Sequence, residues 1–488
     1  MIDKVEGFKQ ACIECLDAFS LMQLRSYGRS IGVDVPTKKK KGELIDAIVA
    51  VLSGEVEPIE RSTRGAPVKD DFVDPAIEQA IAKQRYVWFA KVEPHVRRTY
   101  FESAMKSPNM LIVQKSDNSM TYEQYYAQPL YAGQLEMMDG IPCLLPKNGS
   151  LDGERLTVSI ELIRQYGLRE GDIIACHAFE KMGVWAAKNV LSINNIYAGT
   201  EQRFIYEEEP VSYAKKRISF TAKGEDSALA KILDYTVPLG YGQRCLISSA
   251  PKAGKSTVLR DMAKILTNEN RERIVFALLV EQSPELISAY QSFMDKENLV
   301  ATTFEDEAER HVFAAEFLLK RAKRYAEMGN DVVLIVDSLS KIAKAYNETE
   351  DSVGGKTLPC GLESKTLHYI KKYFGAARCF ASRGSLTIIA TASFGTGDSA
   401  DDVLYSELAN ATNAEVCLSD DLAKRRIFPA IDIRSSYSDG AEALLSETER
   451  EAELTFRSRV IPMQTAEETH AFVATSANFD EFYRKIKS

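Results

Sequence analysis

The 488-residue sequence predicts a multidomain protein. A small helical domain comes first, a small β-barrel next, and an α/β domain built on a parallel sheet last. Three observations predict this. Residues 1–53 carry two apolar patterns at helical spacing around a basic turn. Residues 129–200 switch to short runs of strand period separated by turn residues. From about residue 230, buried-strand patterns alternate with helical ones, starting at Cys245-Leu246-Ile247-Ser248-Ser249-Ala250-Pro251-Lys252-Ala253-Gly254-Lys255-Ser256-Thr257.

Hydrophobic residues at 45% and charged residues at 27% suit a soluble globular chain. No apolar run approaches a membrane span, and the first residues lack a signal-peptide core, so a cytoplasmic protein with no membrane partner is expected. The net charge of -9 gives no global pull toward nucleic acid; any such contact needs a local basic patch. Eight scattered cysteines make no disulfide framework. Cys12 and Cys15 form C-x-x-C without a second pair or a histidine at zinc spacing, which fits adjacent turns of a core helix better than a metal site.

In residues 1–53, Ser20 and Gln23 read as a capping box, with Leu21, Leu24 and Ile31 at helical spacing. Gly32 ends that helix. Pro36 and Lys38-Lys39-Lys40-Lys41 form the connector, and Leu44, Ile45, Ile48, Val51 and Leu52 line a second helix. Two short helices around a basic turn resemble a SAP-like nucleic-acid-binding module; the four lysines equally fit a solvated loop. Residues 54–128 start as a linker around Glu55, Pro58 and Pro67, then become aromatic at Tyr86, Trp88, Phe89, Tyr100, Phe101, Tyr122, Tyr125 and Tyr126. Packing of a small helical insertion is the commoner use of such residues, and base stacking is the alternative.

In residues 129–200, strand candidates at 133–137 and 141–145 flank the turn Asp139-Gly140. Further runs follow at 156–159 and 163–172, and the last strands fall at 173–176 and 190–193. Five short strands in about 65 residues suggest a small barrel such as an OB-fold.

Residues 201–488 hold the α/β pattern. The continuous apolar run at 274–280 fits a strand buried on both faces, a long helix follows over about 305–328, and 386–390 is another buried strand. The strand ending at Ser249, a turn of small residues, and Gly-Lys-Ser opening a helix lined by Val258, Leu259, Met262, Ile265 and Leu266 give the context of a phosphate-binding P-loop. Backbone N–H groups would cradle phosphate oxygens, Lys255 would reach the terminal phosphates, and the Ser256 hydroxyl would ligate magnesium. The candidate nucleotide-binding residues are therefore Pro251, Lys252, Ala253, Gly254, Lys255, Ser256 and Thr257, with Ser249 in place of the usual first glycine. Val332-Val333-Leu334-Ile335-Val336 ends in Asp337, where a second magnesium-coordinating group belongs; capping of the next helix is the plainer role for a solitary aspartate.

With these residues in place the chain resembles the bacterial transcription termination factor Rho family, hexameric RNA-dependent ATPases that translocate 5′→3′ on RNA. The resemblance covers residues 14–53 and roughly 131–450. It rests on the P-loop with its extra Lys252, on Asp306-Glu307-Ala308-Glu309-Arg310-His311-Val312, and on Asp337-Ser338 and Ala345-Tyr346-Asn347. It rests equally on Phe374-Gly375-Ala376-Ala377-Arg378, on Gly384-Ser385-Leu386-Thr387-Ile388-Ile389-Ala390-Thr391-Ala392, and on Arg426-Ile427-Phe428-Pro429-Ala430-Ile431-Asp432. The resemblance implies a SAP-like and OB-fold RNA-binding half and a RecA-like motor domain in a ring, with ATP and magnesium as cofactors. Phe428 falls where the family stacks the adenine, and Arg426 where it keeps a basic group beside the nucleotide.

The departures fall on working parts. Gln282 stands where the family has the glutamate that deprotonates the attacking water, followed by Ser283 instead of arginine. Glutamine cannot take that proton, and losing a general base costs ~10²–10⁴ in rate. Glu281 is a poor substitute if strand alternation persists, because successive side chains point to opposite faces. GTPases do position water with a glutamine, which leaves slow hydrolysis open. The arginine finger, worth ~10³–10⁵ in turnover, has no match in Ile433-Arg434-Ser435-Ser436-Tyr437-Ser438-Asp439-Gly440, where Arg434 aligns poorly. The two RNA-gripping loops carry Ala400 and Ala409 in place of lysines, and the first, residues 395–402, gains carboxylates that would repel phosphate. Ile141 and Cys143 replace two base-stacking phenylalanines, each such stack being worth ~1–3 kcal/mol. Trp185 lies near a position where the family uses an aromatic, and a core role fits it equally.

Three readings follow. The chain is an active Rho-like RNA translocase; or an ATP-binding paralogue with impaired hydrolysis and translocation that holds single-stranded RNA weakly and meets RNA polymerase or a termination complex; or a nucleotide-dependent scaffold for protein partners. The second accounts for most residues, with Gln282, Asp337 and Arg426 in the catalytic positions, Ser256 and Asp337 on magnesium, and Lys38, Lys39, Lys40, Lys41 and Trp185 toward RNA. The expected domains are 1–53 (SAP-like), 54–128 (linker and aromatic insertion), 129–200 (OB-fold) and 201–488 (RecA-like), in a homo-hexameric ring.

Overall fold

The computed structural model describes residues 9–10, 12–52, 56, 77, 81, 130–151, 155–181, 184–198, 203–221, 227–269, 273–349 and 358–487. The linker residues Glu55, Pro58 and Pro67 and all eight aromatic positions between Tyr86 and Tyr126 lie outside these residues. The first elements are α1 (Leu21–Ser30), α2 (Lys41–Leu52), β1 (Leu130–Met138), β2 (Ile141–Leu145), β3 (Leu156–Thr157), α3 (Ile160–Tyr166), β4 (Ile173–Lys181), β5 (Val184–Ile193) and β6 (Ile196–Tyr197). Next come β7 (Val211–Ser212), β8 (Arg217–Ile218), α4 (Ala228–Thr236), β9 (Leu239–Gly240), β10 (Arg244–Ser249), α5 (Lys255–Glu269), β11 (Arg273–Gln282), α6 (Pro284–Gln291), β12 (Leu299–Thr303) and α7 (Ala308–Glu327). The rest are β13 (Asp331–Asp337), α8 (Leu339–Thr349), α9 (Ser364–Phe374), β14 (Arg378–Phe380), β15 (Ser385–Ser393), α10 (Ser399–Ala409), β16 (Ala414–Cys417), α11 (Asp420–Lys424), β17 (Tyr437–Ser438), α12 (Glu447–Thr455), α13 (Ala466–Ala474) and α14 (Phe479–Lys487).

The chain forms two compact units. The first comprises Met1–Gly133, Arg155–Leu168 and Ile173–Gln202. Its helix α1 starts on the predicted capping box: Gln23 N donates to Ser20 Oγ and Ser20 N donates to Gln23 Oε1. Leu16, Leu24, Tyr27, Leu44, Ile45, Ile48 and Leu52 close a small core, joined by Cys12, Ile77 and Ile81. Each such side chain contributes about 1.5–3 kcal/mol on burial. Lys41 opens α2 instead of belonging to the connector. In the same unit β4 pairs antiparallel with β5, β5 with β6, and β3 runs parallel to β5. α3, which the 163–172 run did not announce, is capped by Ser159 and stopped by Gly167 in the left-handed region.

The second unit comprises Gln134–Glu154, Arg169–Asp172 and Arg203–Ser488. Its large sheet has the order β12-β11-β13-β15-β10-β16-β17, parallel as far as β16, while β14 pairs antiparallel with β15 and β7. Nearly every residue of β10, β11, β13 and β15 is buried, as a parallel sheet covered on both faces requires. Val258, Leu259, Met262 and Leu266 of α5 belong to one core with Ile247, Leu279, Val333 and Ile335. The predicted long helix is α7, shorter by a few residues at its start, where the Asp306 carboxylate takes the Thr303 N–H at 2.7 Å.

Also in this unit, β1 and β2 form an antiparallel hairpin from Gln134↔Leu145 to Met138↔Ile141. Arg321 of α7 is fully buried and donates from Nε to Gln134 Oε1 at 2.7 Å, from Nη1 to Glu297 O at 2.7 Å, and from Nη2 to Lys147 O. Its guanidinium lies over the rings of Phe276 and Phe317. Burial pushes its pKa down to about 10, still far above neutrality.

One expectation fails in β11. Its pairing with β12 shifts register between Leu279 and Gln282, and Glu281 has φ 52. This bulge breaks the alternation of faces, so the alternation argument against Glu281 does not apply. The bulge is braced: Glu281 N donates to Thr302 Oγ1 at 3.0 Å, that hydroxyl lies 2.8 Å from His311 Nδ1, and Lys341 Nζ donates to Glu281 O.

Candidate functional site

The parallel pairing aligns the carboxyl ends of four strands. Ser249 of β10 lies opposite Ser393 of β15, Val336 of β13 opposite Ala390, and Leu279 of β11 opposite Asp337. Ligands of open α/β sheets bind at such an edge.

Between β10 and α5 the loop turns through two left-handed residues, Lys252 at φ 66 and Gly254 at φ 99. A Cβ at Gly254 would meet nothing within 4 Å, so the backbone conformation, not space, calls for glycine there. Ala253 is buried; Gly254, Lys255 and Ser256 are half-buried; Pro251, Lys252 and Thr257 are exposed. The Lys255 ammonium donates to Ser249 O at 3.0 Å, Ser249 Oγ at 3.0 Å and Ala250 O at 3.2 Å. Burial lowers its pKa to about 8, opposed by the nearby carboxylates of Asp337 and Asp401.

Asp337 is buried at the end of β13. Its Oδ1 accepts from Thr391 Oγ1 at 2.8 Å, while its buried Oδ2 accepts no hydrogen bond. An orphaned carboxylate oxygen and the Ser256 hydroxyl are the hard oxygen donors magnesium takes, and the loop N–H groups with Lys255 suit phosphate. The residues present therefore fit a magnesium nucleotide. Gln282, also buried, donates from Nε2 to the Asp337 carbonyl at 3.2 Å.

Arg426 and Phe428 reach the same edge from the far side of β10. Leu418, just past β16, donates its N–H to Ser248 O at 2.9 Å and bridges to Ile431. The loop between projects Phe428 with 56% of its surface exposed, beside exposed Arg426 at φ 62. Arg434 lies apart in role: its Nη2 reaches Ile461 O at 3.5 Å and its N–H is held by Asp432.

The carboxylates of the 395–402 loop also hold the loop itself, while Asp398 and Asp402 stay exposed. Asp398 caps α10 through Ala400 N, Asp402 takes Gly395 N, and buried Asp401 takes Thr396 Oγ1 with Lys344 3.5 Å away. Ala409 ends α10, and the segment after it is pinned by Arg244, whose Nε donates to Ala411 O at 2.5 Å. In the first unit Lys38 and Lys40 are exposed, Lys39 is half-buried, and Lys41 pairs with Asp17 at 3.1 Å. Trp185 is half-buried on β5, its carbonyl accepting from Thr157 Oγ1. Cys143 is buried and Ile141 is 56% exposed.

Sequence reasoning missed Lys341, Thr391 and the Thr302–His311 brace. Lys341 lies one helical turn past Asp337, a spacing that could have flagged it; burial lowers its pKa against the charges of Glu281 and Asp337. Thr391 carries no local signal, because its neighbour is set by strand pairing. Among the described residues no group of three or more His, Cys, Asp or Glu forms a metal cluster, and no helix is long and apolar enough to cross a membrane.

Residues 230–438 match the ATP synthase alpha/beta family, nucleotide-binding domain. The chain is 34% identical to transcription termination factor Rho of Streptobacillus moniliformis over 316 residues, 64% of this chain and 74% of that protein. Against the Rho of Escherichia coli (strain K12) it is 33% identical over 368 residues, covering 73% and 87%. Against that of Micrococcus luteus it is 35% identical over 351 residues, covering 68% and 50%. A solved ATPase from the type III secretion system of pathogenic bacteria aligns at TM-score 0.47 with 19% identity, over 63% of this chain and 94% of that one.

Proposed function

The chain belongs to the transcription termination factor Rho family, and on that premise we propose that it is a Rho-like, ATP-binding ring protein whose hydrolysis and RNA translocation are impaired. One observation carries the reading: Lys255, Ser256 and the orphaned Asp337 oxygen survive together, while the base's position holds Gln282, its amide engaged with the Asp337 carbonyl.

In this reading the loop N–H groups and Lys255 hold the phosphates, Ser256 and Asp337 hold magnesium, Phe428 covers the adenine and Arg426 lies beside it. Magnesium held there would supply positive charge against the phosphate oxygens. Gln282 orients water without taking its proton, which lowers turnover by ~10²–10⁴. The proposed domains are SAP-like 1–53, a linker with an aromatic insertion at 54–128, an OB-fold at 129–200 and a RecA-like motor at 201–488. The paired helices α1 and α2 support the first, and the strands β1 to β6 the third.

Weak RNA binding is supported by Ala400, Ala409, buried Cys143 and the Lys41–Asp17 pair, which leave few cations and stacking faces. The proposed partners are single-stranded RNA held weakly, further copies in a hexameric ring, and RNA polymerase or a termination complex, all in the cytoplasm. The bulge at Glu281 favours a second reading, in which Glu281 acts as the base and the motor is active, because alternation no longer turns it from the site.

The test is direct nucleotide binding beside ATP turnover, with and without pyrimidine-rich RNA. The proposal expects binding that Lys255→Ala abolishes and turnover near background at saturating RNA. Brisk RNA-stimulated turnover that Glu281→Gln removes would establish the active reading instead.

A further inference from the structure

The loop that carries Arg426 and Phe428 is held locally at its two ends: Arg426 N donates to Ala423 O at 3.0 Å and Ile427 N to Leu422 O at 3.0 Å where α11 stops, and Ser419 N donates to Ala430 O at 2.7 Å. α11 is short, Arg426 stands in the left-handed region that a non-glycine residue occupies at a cost of about 1 kcal/mol, and Phe428 projects into solvent. Such a conformation persists only where the surroundings over-determine it. Two contacts reach this loop from α13. His470 Nε2 donates to the Pro429 carbonyl at 2.8 Å, one residue after Phe428, and Glu467 pairs with Arg425 at 2.7 Å.

These contacts differ in weight. Arg425 and Glu467 are both largely exposed, and such a pair is worth about 0–1 kcal/mol. His470 is buried, and α13 is fixed independently of the loop. The Thr465–Glu468 capping box sets its start, and Val473 is part of the main core. The histidine thus transmits a rigid helix to the carbonyl beside the aromatic ring. Pro429 O keeps a second donor in Ile431 N at 2.8 Å, so losing the imidazole loosens the loop without stranding a buried carbonyl.

We propose that His470 is a positioning residue that holds Phe428 in the orientation needed to cover a purine base, so that base affinity, and not phosphate affinity, depends on it. The inference rests on the assignment of Phe428 to the base.

The experiment compares dissociation constants for ATP and for inorganic tripolyphosphate, which lacks a base, in the full chain and in His470→Ala, His470→Gln, Phe428→Ala and the His470→Ala/Phe428→Ala double variant. His470→Ala is expected to weaken ATP about fivefold to tenfold and to leave tripolyphosphate unchanged. His470→Gln, which keeps a donor at the Nε2 distance, restores most of the loss, and the double variant matches Phe428→Ala. Equal weakening of both ligands, or a loss with no recovery in His470→Gln, would make His470 merely structural and overturn the proposal. If Phe428→Ala weakens ATP and His470→Ala does not, the positioning role is wrong while the base assignment stands. If Phe428→Ala has no effect although Lys255→Ala abolishes binding, the base assignment itself fails and takes this inference with it.

Discussion

Gln282 donates its side-chain amide to the main-chain carbonyl of Asp337 across 3.2 Å, joining the end of β11 to the metal-binding candidate at the end of β13. A carboxylate at position 282 cannot make this bond and would face a carbonyl oxygen. Gln282→Glu should therefore lower stability by about 1–2 kcal/mol while supplying the missing proton acceptor. If base loss is what limits turnover, ATP hydrolysis rises by ~10² or more over the parent. Urea titration and steady-state phosphate release read the two effects separately; unchanged turnover would place the defect elsewhere.

Lys255 titrates near the top of the physiological range. Its pKa of about 8 means the ammonium is intact at neutrality and is lost as pH rises, and an adjacent phosphate raises the bound-state value. Above about pH 8, where the free ammonium is being lost, ATP binding then takes up a proton, so affinity should fall by up to tenfold per pH unit as pH rises past that value. Lys255→Arg, whose guanidinium stays charged, should flatten that profile. Isothermal titration calorimetry in buffers of different ionisation enthalpy would count the proton.

Removal of magnesium tests Asp337. Its unbonded Oδ2 is a carboxylate oxygen without a donor, close enough to influence the Lys255 charge. With magnesium, Asp337→Asn should weaken ATP binding by about tenfold or more, in line with the loss of a charged ligand. In EDTA the same variant should bind ATP as well as the parent or better, because a negative charge facing the phosphates has gone. Equal affinities under both conditions would remove Asp337 from the metal site.

Arg321 should be among the most sensitive structural positions. Arg321→Ala deletes a fully buried cation and leaves Gln134 and the carbonyls of Lys147 and Glu297 without its donors. The expected loss is about 1–3 kcal/mol for each acceptor left without a donor, read as a lowered urea midpoint. Arg321→Met, which keeps an apolar stem of similar length but loses the guanidinium over Phe276 and Phe317, should recover part of it.

What the sequence determined by itself is local. The P-loop was legible because strand, turn and helix N-terminus are consecutive and each has its own signal: an apolar run, small residues, then a 3.6-residue period. The Ser20–Gln23 capping box and the buried strands at 274–280 and 386–390 were legible for the same reason. What only the tertiary structure decided depends on which strands become neighbours. Thr391 meets Asp337 because β15 lies beside β13, and Gln282 meets it from β11 on the other side. The bulge that frees Glu281 from alternation depends on Thr302 of β12 and His311 of α7, and His470 finds Pro429 from a helix well along the chain. A charge count of the 395–402 loop does not say which partners its carboxylates have; Asp398, Asp401 and Asp402 also hold the loop itself. Local periodicity encodes the elements, but the hydrogen bonds that tune a site run between elements, and their geometry exists only once the sheet has assembled.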